Sequence, residues 1–254
     1  MKESNYYDKI FYLNHYNEPY QSALEFIPII YDTLKPTSVV DFGCGIGNWI
    51  KVWLEETPVK DILGIEGPYI SKDLYKVDEK YILLKDLKEP IDLGRKFDVA
   101  ISLEVGEHLP DEFADVFVSN IVKVSDIVIF SAAIKGQLGT YHINEQYPEY
   151  WANKFAKHHY VAVDYFRSKI WTNSKIKYWY RQNVLIYIKK EALTNHPFLE
   201  PYYTTTNPEC LLRIHPDQFE LKLQQIERTS TILGFIHWRL YLLKLSVKKT
   251  LKIK

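Results

Sequence analysis

The chain has 254 residues, enough to bury one large domain or one domain with an appendage. Its 32 Lys+Arg are balanced by 32 Asp+Glu, which argues against a protein that coats nucleic acid, because phosphate binding shows as a basic excess. Only two cysteines are present, Cys44 and Cys210; they imply neither a disulfide framework nor a cysteine zinc site and suit a reducing compartment.

Read in chain order, residues 5–35 place Tyr, Phe, Leu and Ile at spacings of three and four, which predicts a helical segment ended by Pro36. "SVVDFG" (38–43) reads as a buried strand and "IGNWIKVWLEE" (46–56) as a helix. "DILGIEG" (61–67), "YILLKDL" (81–87) and "FDVAISLEV" (97–105) read as strands. "DEFADVFVSNIVKV" (111–124) reads as a helix with acids at its start, where the helix dipole favours them. A strand at 126–134, a helix opening with Pro148 and running to His159, and strands at 160–166 and 183–189 follow.

The last two strands are joined by a loop of about fifteen residues without a clear helix, which predicts an antiparallel partner at the edge region of the sheet. The expected fold is α/β: seven strands in a mostly parallel sheet, helices on both faces, and helical segments before and after. Three regions follow: a helical cap over 1–36, the sheet domain over 37–189 and a helical extension over 190–254. The N-terminus lacks an apolar signal core, and no uncharged apolar run is long enough for a bilayer. The expected location is therefore the cytoplasm.

"VVDFGCGIGNW" (39–49) runs from a strand through a glycine-rich turn into a helix. Gly43, Gly45 and Gly47 allow a tight turn and leave no side chain between backbone and ligand. Position 48 is Asn, so the dinucleotide fingerprint is not met, and no Gly-Lys-Ser/Thr follows as a P-loop requires. Asp41 disfavours a pyrophosphate and favours a cationic ligand.

With these residues the chain resembles the class I S-adenosylmethionine (SAM)-dependent methyltransferases over roughly 36–189, a Rossmann-like fold. The resemblance implies that Glu66, closing the second strand, holds the ribose hydroxyls, that Asp86 contacts the adenine amine and that Leu87 flanks the ring. It places Asp41, Gly43, Cys44, Gly45, Asn48, Trp49, Leu103 and Glu104 around the donor, with Cys44 as a small packing residue of the loop.

"ISLEVGEHLP" (101–110) sets Glu104, Glu107 and His108 at the carboxyl end of the fourth strand, where open α/β sheets bind ligands. A loop after the fifth strand adds His142, Asn144, Glu145 and Gln146. Glu104, Glu107, His108 and His142 could hold Mg²⁺ or Mn²⁺ with positions open to substrate oxygens, and His108 or His142, with Glu107 nearby, could serve as the base. The pattern Glu-x-x-Glu-His with a later His resembles the metal site of small-RNA 2′-O-methyltransferases; Glu-His at this place also resembles quinone O-methyltransferases. The wider string resembles bacterial-type O-methyltransferases of glycan and secondary-metabolite pathways, which implies a sugar or glycan-linked acceptor. RNA ends, a phenol, and an inactive binding subunit stand as the alternatives.

In "KIKYWYRQN" (175–183), Tyr180, Arg181 and Gln182 are expected to form a substrate wall with Glu145, Arg181 addressing a phosphate or carboxylate. No Asp or Glu follows Glu227, whereas seven Lys or Arg do. The apolar 232–253 segment, with Lys244, Lys248 and Lys252 along it, is expected either to contact a membrane surface peripherally or to pack on the domain or a second subunit as a homodimer.

Overall fold

The computed structural model describes residues 17–250, with side chains through Lys244. Of the helical cap expected over 1–36, residues 1–16 lie outside the described residues. Helix α1, Asn17–Leu34, buries Ala23, Phe26, Ile27 and Ile30, one face of a 3.6-residue period. Strand β1 (Ser38–Phe42) leads through the glycine turn into α2 (Asn48–Glu56), and β2 (Asp61–Glu66) follows. β3 is only Ile82–Leu84, then β4 (Val99–Leu103), α3 (Ala114–Val124) and β5 (Ile127–Ser131). The second half adds α4 (Pro148–Ala156), β6 (Tyr160–Val163), α5 (Arg167–Ile170), α6 (Tyr178–Asn183) and β7 (Leu185–Lys189). The extension contributes α7 (Glu200–Thr205), α8 (Pro216–Ser230) and α9 (Ile232–Thr250).

The seven strands form one sheet in the order β3-β2-β1-β4-β5-β7-β6. β7 runs antiparallel to both β5 and β6, and the other pairings are parallel. The antiparallel strand thus sits one place in from the edge. Side chains alternate across the sheet as the strand period requires. Val39, Ile101 and Ile129 pack with Phe26, Ile27, Trp49 and Trp53 of α1 and α2. Val40, Ala100 and Val128 pack with Phe117, Ile121, Trp151 and Phe155 of α3 and α4.

Two local expectations fail. β3 stops early because Asp86 closes a turn, its Oδ1 accepting the Lys88 N–H at 3.0 Å. The β6–β7 connection is helical in two places, because Ile170, Ile176 and Tyr180 bury against α1 and α2 rather than crossing solvent. No described helix is long and apolar enough to cross a membrane.

Candidate active site and metal centre

The carboxyl ends of β1, β2 and β4 open into a cleft of about 230 Å³ lined by Gly43, Gly45, Glu66, Tyr69, Leu87 and His108, among others. Gly43, Gly45 and Gly47 all have positive φ (81°, 56° and 87°), a conformation that favours glycine. A Cβ on Gly43 would lie 2.5 Å from Val105 Cγ2, whereas a Cβ on Gly45 would meet no atom within 4 Å. The two glycines therefore do different work: Gly43 lets the β4 loop approach, and Gly45 presents bare backbone to open space.

Glu66 ends β2 and is almost fully buried. Its carboxylate accepts the Gly45 N–H (2.6 Å), the Gly67 N–H (2.7 Å) and the Tyr69 hydroxyl (2.8 Å). Burial raises its pKa, and these three bonds partly oppose the rise. The glycine loop is thus braced by the acid from the next strand. Asp86 and Leu87 line the cleft as expected, with Lys88 beside them. Asp41 lies outside the lining; it is 3% exposed and its Oδ2 has no hydrogen-bond partner. Burial and the charge of Glu66 push its carboxyl well above the usual range.

Cys44, Asn48, Trp49 and Leu103 are also buried away from the cleft lining. A Cβ at Gly64 would collide with the Cys44 sulfur and with Ile50, so Cys44 packs between loop and sheet. Trp49 meets Phe26 and Tyr180 edge-on, in the core.

Beside the cleft, the loops after β4 and β5 meet. The Glu107 carbonyl accepts the N–H groups of Ile143 (2.9 Å) and Asn144 (3.0 Å), which locks the two loops together. Glu107, His108 and His142 each bring one ligand atom to within 4.8 Å of the others. The Glu107 side chain is fully buried, and neither oxygen has a hydrogen-bond partner. Burial, then the Glu104 charge, push its pKa well above the carboxylate range, opposed in part by the nearby backbone of Glu107 and Ala133.

The histidine tautomers follow from their partners. His108 Nδ1 lies 3.2 Å from the Tyr141 carbonyl, which can only accept, so Nδ1 carries the proton and Nε2 the lone pair. His142 Nδ1 lies 2.9 Å from Glu145 Oε1, and its Nε2 lies 3.9 Å from Glu107 Oε1. The two rings meet edge-on with centroids 5.0 Å apart. Burial and His142 push the pKa of His108 down to about 3, so it is neutral at pH 7. Two imidazole nitrogens and a buried carboxyl thus converge on one point. A divalent cation bound there would take the place of the proton that burial favours on Glu107, with Glu145 orienting His142 as a carboxylate orients a metal-bound histidine. Two imidazoles and one carboxylate fit a transition-metal ion such as Mn²⁺ better than Mg²⁺, which prefers an oxygen shell.

Several expectations are corrected. Glu104 does not join the cluster. Its backbone is left-handed (φ 58°), and its carboxylate accepts Gln137 Nε2 at 3.0 Å and Asn183 Nδ2 at 3.1 Å. Burial raises its pKa, and those bonds lower it. His108, at about 3, is too weakly basic to serve as the expected base.

The substrate wall is built inward. Burial works against the Glu145 carboxylate, but it accepts His142 and the N–H groups of Gly136 (2.8 Å) and Leu138 (2.7 Å), and the net shift is downward. Arg181 donates to Asp217 (2.6 Å) and the Trp171 carbonyl (2.8 Å). Gln182 bridges Asn183 (3.0 Å), Gln218 (2.6 Å) and the His215 N–H (2.7 Å). Tyr180 is buried on Trp49. Arg181 and Gln182 thus fasten the extension, Glu145 holds His142 and Tyr180 packs in the core; none of the four lines the cleft.

Residues absent from the sequence reading are Tyr69, Val105, Leu109 and Tyr141 in the lining, and Gln137 and Asn183, which hold Glu104. The tyrosine-rich 141–187 segment signalled Tyr141; nothing local signalled the two amides.

No family model matches the chain, and no curated protein matches it by sequence. Solved structures match in fold. The sugar N-methyltransferase of Streptoalloteichus sp is 11% identical, with a TM-score of 0.56 over 74% of this chain and 95% of that one. The plantazolicin methyltransferase BpumL, solved with a pentazolic desmethylPZN analogue and SAH, is 16% identical, with a TM-score of 0.52 over 71% of this chain and 90% of that one. Magnesium protoporphyrin IX methyltransferase of Synechocystis, solved with bound SAM, is 17% identical, with a TM-score of 0.50 over 68% and 80%. At these identities the likeness is one of fold, the Rossmann-like methyltransferase fold.

Proposed function

We propose that this chain transfers the methyl group of S-adenosylmethionine to a hydroxyl of a sugar or glycan-linked acceptor, at a divalent-cation site formed by Glu107, His108 and His142. One observation carries the reading. Glu107, His108 and His142 bring ligand atoms within 4.8 Å of one another, Glu107 fully buried with no side chain donating to it, beside a cleft formed by a bare glycine loop and a braced strand-end glutamate. An apolar or purely structural loop has no use for such a cluster. The methyltransferase fold of the neighbours, several solved with SAM or SAH, supports the donor.

In the reaction the acceptor hydroxyl gives up its proton to solvent and its oxygen attacks the methyl carbon in line. The S–CH₃ bond breaks, its electron pair returns to sulfur, and the donor leaves as the neutral thioether S-adenosylhomocysteine. The Gly43–Gly47 backbone and Glu66 hold the donor, and Leu87 gives the adenine an apolar flank. A bound cation would acidify and orient the hydroxyl. His108, neutral at pH 7, and His142, oriented by Glu145, hold their lone pairs ready for that ion. Proximity and alignment supply the rest of the rate.

The same cluster is the ground for a second reading, methylation of a terminal ribose 2′-hydroxyl of RNA; the lack of net charge counts against it. Labelled SAM should be incubated with sugar, nucleotide-sugar, phenol and short RNA acceptors, with EDTA and after return of Mn²⁺ or Mg²⁺. Incorporation into a sugar hydroxyl, lost on chelation and restored by metal, supports the proposal. Incorporation only into RNA moves it to the second reading. Turnover that survives exhaustive chelation removes the metal.

A further inference from the structure

The C-terminal hairpin is the part of the molecule the site does not use. Helix α8 is fastened at its first turn, where Asp217 meets Arg181, Gln218 meets Gln182, and His215 Nε2 lies 3.0 Å from the Trp171 carbonyl. Beyond Gln218 no residue of α8 is buried. Thr231 turns the chain, its carbonyl accepting the Phe235 N–H and its hydroxyl the Gly234 N–H, and α9 packs back along α8. The hairpin nevertheless exposes large apolar side chains along its length. Ile226 is 63% exposed, Ile232 82%, Leu233 77% and Leu243 60%, with Phe219, Phe235, Ile236 and Leu240 also above half or near it. Contiguous apolar surface of this kind on a folded chain marks a partner.

The charge pattern selects the partner. After Glu227 the chain has no carboxylate side chain, and Arg228, Arg239, Lys244, Lys248, Lys249, Lys252 and Lys254 follow. Helix α8 itself carries Asp217, Glu220 and Glu227 against Lys222 and Arg228, so the excess belongs to the chain beyond Glu227; a second copy seated by a two-fold axis would set those cations near their own image, and Coulomb repulsion opposes that. An anionic bilayer satisfies both features at once: acyl chains receive the apolar side chains, and headgroup phosphates receive the Lys and Arg. Trp238 and Tyr241, stacked 5.7 Å apart on α9, are the residue types that settle at a bilayer interface. No described helix can span the membrane, so the hairpin would lie in the interface plane.

We infer that α8 and α9 form a docking surface for an anionic lipid bilayer. The root of the hairpin is tied to the site's supports, since Asp217 and Gln218 bind Arg181 and Gln182, next to Asn183, which donates to the cleft-lining Glu104. Docking therefore holds the cleft close to the membrane, where a lipid-linked acceptor would be met. That consequence rests on the transferase reading; the docking itself does not.

The test is flotation of the full chain with vesicles of phosphatidylcholine plus phosphatidylglycerol and with vesicles of phosphatidylcholine alone. The full chain floats with the anionic vesicles only, and added salt releases it. Lys244→Ala weakens partitioning about fivefold. Leu233→Asp combined with Ile236→Asp and Leu240→Asp lowers it at least roughly tenfold. These side chains are exposed, so the variants keep the fold; SAM titration of each variant reports the donor site separately. Failure of the full chain to float, or equal flotation with both vesicles, overturns the inference. So does a dimer in light scattering that the triple variant converts to monomer without any change in flotation, because the surface then belongs to a second copy.

Discussion

Replacing Glu107 by Met should stabilise the metal-free protein and destabilise it relative to wild type once metal is present. Glu107 is fully buried, and neither carboxylate oxygen accepts a hydrogen bond of normal geometry. An unsatisfied buried polar group costs about 1–3 kcal/mol, and Met fills similar volume without that cost. In EDTA the variant should gain about 2 kcal/mol, which for a chain of this size raises Tm by roughly 4–8 °C. Wild type in a divalent cation at about a thousandfold its Kd gains about 4 kcal/mol, whereas the variant, left with two imidazoles, gains little. Scanning calorimetry in EDTA and in Mn²⁺ would show the ranking reverse. A Glu107→Met variant that melts below wild type in EDTA would show that the carboxylate already has a partner. A wild-type Tm indifferent to Mg²⁺ and Mn²⁺ would remove the cation from the account.

Gly45→Val should weaken SAM binding at least roughly tenfold by calorimetric titration, because its side chain enters the open space beside the loop. Gly94→Ala is the control, since Gly94 also has positive φ (64°) and open surroundings but does not line the cleft; equal loss in both would mean that backbone strain is the cause. Arg167→Met should cost roughly 3 kcal/mol in denaturant unfolding, because it strips a buried guanidinium from Asp164 (2.7 Å) and from the Leu211 carbonyl (2.7 Å); an unchanged midpoint would contradict that. At Asp98, burial raises the pKa, but hydrogen bonds from Thr37 and Ser38 outweigh it, so the folded pKa is lowered. The stability this supplies is present above the unfolded pKa, about 3.9, and is lost as pH falls through the folded one. Asp98→Asn should therefore flatten the acid limb of the Tm–pH curve, and an identical limb would refute the linkage.

The sheet was legible because its strands are short apolar runs that alternate with helical spacings, and because Gly43, Gly45, Gly47 and Glu66 lie on one local pattern. The convergence of Glu107, His108 and His142 was legible from chemistry at two strand ends. What could not be read depends on distant partners. Glu104 is drawn off the cluster by Gln137 and Asn183, and its left-handed backbone is not encoded by the residue itself. Arg181 and Gln182 looked free for a substrate because Asp217 and Gln218, which bind them, belong to a helix 36 residues on. The helices of the β6–β7 connection form because their apolar residues find α1 and α2, a tertiary cause with little local periodicity.

The most direct measurement is calorimetric titration of the full chain with S-adenosylmethionine, alongside Gly45→Val. The account requires saturable binding of one donor per chain, weakened at least about tenfold in the variant. No detectable heat or displacement by SAM or SAH, or equal affinity in both proteins, would contradict it.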